Sequence, residues 1–148
     1  MFNAYYLLKW MHFVALSVIG GGAVVALLIS GFEDEREDLR GLAATLWKRT
    51  VVWGVRIAIL LGAALLAMKL SEGQKPFTEY YLHLKLTFAV ILAGLSEATP
   101  KALAVGKRGT ALLALMLFLL ASFTVYNKAV FGVKQAPLAP VPIASAAP

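Results

Sequence analysis

The sequence predicts an all-α integral membrane protein, built as an antiparallel up-down bundle of four transmembrane helices. Three observations lead there. Sixty per cent of the 148 residues are hydrophobic and 15% are charged, a balance typical of membrane proteins rather than soluble ones. The apolar residues gather into four runs, each suited to a hydrocarbon core of roughly 30 Å at about 1.5 Å of rise per residue. The connections are short, which makes consecutive helices antiparallel neighbours.

The first run covers about residues 5–29 and holds Lys9 and His12. It is too long, and too thinly basic at its start, for a cleaved signal peptide, so a retained helix is expected. The second, about 51–68, contains Arg56; the third, about 79–95, contains His83 and Lys85; the fourth, about 109–125, carries no charge. Residues 31–50 form a connection that is acidic at Glu33, Asp34, Glu35, Glu37 and Asp38, then basic at Arg40, Lys48 and Arg49. Ser71, Gly73 and Pro76 mark a turn within 70–78, and Pro100 and Gly106 mark another within 96–108. Residues 1–134 thus read as one transmembrane domain. Residues 135–148, QAPLAPVPIASAAP, read as an extended tail without a usable hydrophobic face.

Charge and composition exclude several functions. The chain has no cysteine, which rules out disulfides, thiolate-held iron–sulfur clusters, zinc ribbons, cysteine catalysis and haem attached through C-x-x-C-H. Its net charge of +6 is expected from basic loops beside anionic headgroups, not from nucleic-acid binding. No P-loop, dinucleotide fingerprint, zincin helix or hydrolase elbow is present. Arg36, Arg40, Lys48, Arg49, Lys101, Lys107 and Arg108 lie in the first and third connections, against Lys9, Lys69, Lys75, Lys128 and Lys134 on the other side. Seven against five favours both termini outside, periplasmic in the bacterial inner membrane that is the expected location.

The two histidines are the focus of any chemistry. An ionisable side chain within a bilayer is costly and marks a functional site by default. His12 and His83 fall on runs that point the same way in an alternating bundle, each on the order of 6–11 Å below its helix start. Facing histidines at one depth are a common way to hold haem b; each alone also suits a ring at the headgroup level. The small residues Gly20, Gly21 and Gly22 follow His12. They read either as a slot for a flat ring or as a helix–helix contact. Lys85 stands roughly 200° around its helix from His83, so the two cannot share a narrow face. Lys9, Lys69 and Lys85 gather on the outer side, as partners for haem propionates or as ordinary edge lysines. On the opposite side Arg56 and Glu97 are expected to pair and join spans two and three. Trp10, Trp47, Trp53, Tyr5, Tyr6, Tyr80, Tyr81 and Tyr126 all fall near span ends, as an aromatic belt would.

The stretch LLKWMHFVALSVIGGG resembles the first helix of HemJ-type protoporphyrinogen IX oxidases, and YYLHLKLTFAVILAG resembles that family's H-x-K-L segment. Related small bundles of the CopD type place histidines similarly. The likeness covers two of the four spans. It implies a b-type haem protein that oxidises protoporphyrinogen IX and passes electrons to the quinone pool. By that likeness His12 is a haem ligand or a substrate-site residue, His83 and Lys85 are the H-x-K pair, and Arg56 is a supporting polar residue; the candidate site thus has His12 and His83 as metal ligands, Gly20, Gly21 and Lys9 at the cofactor, and Lys85 and Arg56 as catalytic residues. The competing expectation is a non-catalytic haem- or pigment-binding, or purely structural, accessory subunit of a larger respiratory or photosynthetic complex. Beyond the lipid bilayer, the partners expected are quinone, such a complex or a homo-oligomer.

Overall fold

A computed structural model describes residues 4–33, 35–73 and 80–126, with residues 80, 81, 125 and 126 as backbone alone. The tail at 135–148, together with Asp34, Lys75, Pro76, Lys128 and Lys134, lies outside them. Among the described residues all regular structure is helical. Helix α1 spans Ala4–Phe32, α2 Leu42–Trp47, α3 Trp53–Ser71, α4 Tyr80–Ala104 and α5 Gly109–Tyr126. A π turn at Lys48–Val52 joins α2 to α3 without a break, and a short 3-10 turn at Glu37–Leu39 precedes them. Three helices, Ala4–Phe32, Glu37–Ser71 and Leu82–Ala104, are long and apolar enough to cross a membrane; Gly109–Thr124 is a shorter apolar helix.

Small residues make up much of the core, alongside Trp47, Val51 and Leu103. Ala15, Ile19, Ala23 and Ala26 of α1 are buried, and so are Val55 and Ala58 of α3 and Ala111 and Ala114 of α5. Large apolar side chains such as Leu60, Val90 and Phe123 point outward. This inversion suits a solvent as apolar as leucine, where close backbone approach rather than hydrophobic exclusion holds helices together. The α1–α3 seam shows how. On α3, Gly54, Ala58 and Gly62 recur every fourth residue and so share one face. A Cβ at Gly54 would stand 2.7 Å from Cγ1 of Ile19, and one at Gly62 would stand 3.5 Å from Cε1 of His12. Rising numbers on one helix meet falling numbers on the other, so α1 and α3 run antiparallel. The same holds for α1 and α5, where Gly20 meets Phe118 and Ser30 meets Arg108.

Two helices overrun the apolar runs that predicted them. The second begins at Leu42 rather than near 51, so most of the expected 31–50 connection is helical. Its first turn lacks a capping side chain of its own, because Gly41 stands at the N-cap with φ 79°. The Glu33 carboxylate does that work from ten residues upstream, accepting a hydrogen bond from the Ala43 amide at 2.7 Å. A negative group there also meets the positive end of the helix dipole.

The third helix runs through Pro100 to Ala104 instead of ending near 95. Proline has no N–H, so the Ser96 carbonyl, four residues earlier, loses its helical donor. The Trp47 indole N–H supplies one, at 3.2 Å. Trp47 is therefore fully buried, with 0% exposure, and does not belong to an interfacial belt. The helix stops where Gly106, at φ 75°, closes a turn in which the Lys107 and Gly106 amides donate to Ala102 and Leu103, each at 2.9 Å.

Candidate functional site

His12 lies on the face of α1 that also carries Ala15 and Ile19, one and two turns further along. That face packs on the small-residue stripe of α3, which brings the imidazole beside Gly62 and the Ala58 backbone carbonyl. Its Nδ1 is buried and has no hydrogen-bond partner. A buried imidazole nitrogen left bare in this way is costly, and most such atoms in proteins find a donor, a water or a metal. Lys85 of α4 stands within electrostatic reach of the ring while its own side chain is exposed. The structure thus gathers His12, Lys85, Ala58 and Gly62 from three helices.

His83 lies two residues before Lys85, roughly 200° around α4. It is exposed and borders a shallow groove of about 370 Å³ with Leu86, Thr87, Val90 and Ile91, all of them α4 residues. The Thr87 hydroxyl donates to the His83 carbonyl at 2.9 Å. Of the H-x-K pair, it is Lys85 whose charge acts on the His12 ring.

The glycines after His12 divide in the same way. A Cβ at Gly20 would lie 2.9 Å from Cε1 of Phe118, and one at Gly22 would collide with the Thr50 side chain of the π turn, whereas Gly21 faces open space. Gly20 and Gly22 are thus used to seat neighbouring helices. Lys9 is exposed near the start of α1.

Arg56 joins α3 to α4. Its Nε and Nη2 donate to Oε1 of Glu97 at 3.0 and 2.7 Å, the pair expected from their common side of the membrane. Its guanidinium also lies 5.1 Å from the Trp53 ring centroid, within cation–π range. Both partners are about half exposed, 51% and 52%. Arg56 is two residues from Gly54 and from Ala58, so it faces away from the α1 seam.

The residue-level signal for the α1–α3 seam was Gly54-x-x-x-Ala58-x-x-x-Gly62, the small-residue spacing of close helix pairs. It is as regular as the Gly20–Gly22 run is conspicuous. Comparison with known protein families, curated proteins and solved structures finds no match. Among the described residues, fold and seam together define an all-helical protein with three helices able to cross a membrane and a half-buried imidazole, its Nδ1 buried, between two of them.

Proposed function

We propose that this chain is a membrane-embedded b-type haem protein in which His12 would hold the haem iron. The observation that carries the reading is the buried, unpartnered Nδ1 of His12. When a backbone carbonyl holds one imidazole nitrogen, the other is left to bind a metal; the Ala58 backbone bonds the His12 ring, and its Nδ1 has no hydrogen-bond partner. The Gly54–Ala58–Gly62 stripe lets α1 lie close against α3 beside the ring. Lys85 and Lys9 offer cations to the carboxylates that haem and porphyrinogens carry.

Haem b would supply the one-electron redox chemistry that no side chain here possesses. The chain itself would orient the ring through His12, hold anionic substituents through its lysines, and keep α3 and α4 in register through Arg56 and Glu97. In its finer form the proposal is a HemJ-like oxidase that takes electrons from protoporphyrinogen IX and passes them to quinone. It includes α5 as a fourth crossing in an up-down bundle, His83 as the second candidate ligand, and a bacterial inner membrane with both termini periplasmic.

A reduced-minus-oxidised spectrum of protein purified in mild detergent tests the reading. A b-type α band is expected from the wild type and is lost on His12→Ala; an unchanged band in that variant refutes the ligand assignment. Oxidation of protoporphyrinogen IX by the loaded protein separates the oxidase from a haem carrier without that activity.

A further inference from the structure

Helix α4 turns Leu92, Ser96, Thr99 and Leu103 into the core. The opposite face is exposed and has its own order. His83, Thr87, Val90, Gly94, Glu97 and Lys101 recur along it at alternating intervals of four and three residues, and every one of them is exposed. Val90 is 71% exposed, and nothing stands within 4 Å of the place a Gly94 Cβ would take. Alternating four-and-three spacing is the seam of a left-handed helix pair. Small and polar residues are what such seams use in lipid, because small ones admit close backbones and polar ones can bond across the pair.

The charges on this face say which partner fits. Both Arg56 donors converge on Oε1 of Glu97, which leaves Oε2 as an acceptor. Lys101 lies one turn further along the same face. Membrane insertion gives every copy the same orientation, so two copies would set their α4 helices parallel. A twofold axis through Gly94 would then bring each Glu97 within reach of the other copy's Lys101, satisfying both ends at once as an isologous contact requires.

We propose that the chain pairs with a second copy of itself through this face of α4, closest at Gly94 and joined by reciprocal Glu97–Lys101 contacts. The pairing does not depend on haem.

The cysteine-free sequence makes the test direct. Full-length Gly94→Cys and Val90→Cys variants, oxidised in native membranes, are expected to form disulfide-linked dimers of twice the chain mass. Leu60→Cys on α3 and Leu113→Cys on α5, also exposed, serve as controls and are expected to cross-link about tenfold less, as a specific seam rather than random collision requires. Adding Lys101→Glu to Gly94→Cys should lower the dimer yield by roughly threefold to fivefold, the scale of the two exposed ion pairs lost together. Equal cross-linking at all four positions, none at Gly94→Cys, or a product joining Gly94→Cys to a different protein would each overturn the proposal.

Discussion

The Trp47 indole N–H donates to the Ser96 carbonyl, the carbonyl whose helical donor is missing because Pro100 occupies the position four residues on. Two local irregularities of the backbone thus answer each other. The proline turn of α4 lies against the end of α2, where the helix widens into its π turn. Replacing Trp47 by Phe keeps most of the ring but strands a buried carbonyl, at a cost of about 1–3 kcal/mol. Pro100→Ala restores an amide donor to Ser96. Trp47→Phe is therefore expected to cost less in the Pro100→Ala background than in the wild type. Equilibrium unfolding in detergent across this double-mutant cycle checks it; strictly additive effects would contradict the relationship.

The Arg56–Glu97 pair couples α3 to α4 from positions 41 residues apart. Removing one partner leaves a charge without its counter-ion beside lipid, whereas removing both leaves none. With both groups half exposed, Glu97→Leu alone is expected to destabilise by about 0.5–1 kcal/mol, with the Arg56→Met, Glu97→Leu double variant no worse than that single change. A double variant that loses the sum of the two single effects would sink the coupling.

The α1–α3 seam makes a steric prediction. A Cβ at Gly54 falls on Ile19, while one at Gly21 meets nothing. Gly54→Val should cost on the order of 1–3 kcal/mol through overpacking, and Gly21→Ala should leave stability unchanged or raise it slightly. Ile19→Ala is expected to recover part of the Gly54→Val loss. Thermal unfolding of the three variants distinguishes this from a general intolerance of α3 to β-branched residues.

Glu33 caps α2 from outside the helix. Glu33→Ala removes an acceptor and a favourable charge at the helix start, for a loss of about 1 kcal/mol. Hydrogen exchange should speed up at Ala43 and its neighbours while the α4 amides remain protected. Uniformly faster exchange across all helices would contradict a local capping role.

Much of the helical architecture is legible in the apolar runs, because lipid demands long uninterrupted stretches. The Arg56–Glu97 pair is legible too: each charge needs a partner at its depth, and each is the obvious one for the other. The helix ends are less so. Leu42–Thr50 and Ser96–Ala104 mix polar and apolar residues, and their helicity depends on distant groups, the Glu33 carboxylate and the Trp47 indole. Trp47 near a span end looks like a belt residue until Pro100 exposes the carbonyl that it serves. His12 shows the corresponding limit at the site. Depth follows from residue number, but facing depends on which helix packs where. Gly54, Ala58 and Gly62 draw His12 toward α3, and on α4 it is Lys85 whose charge acts on it.

The central claim is that His12 holds haem iron. Haem content per chain, measured by pyridine haemochrome on monodisperse protein, tests it most directly. Wild-type protein is expected to carry haem b and His12→Ala to carry almost none, with the helical far-ultraviolet spectrum unchanged between them. Equal haem content in the two proteins, or none in the wild type expressed with ample haem, would contradict the account.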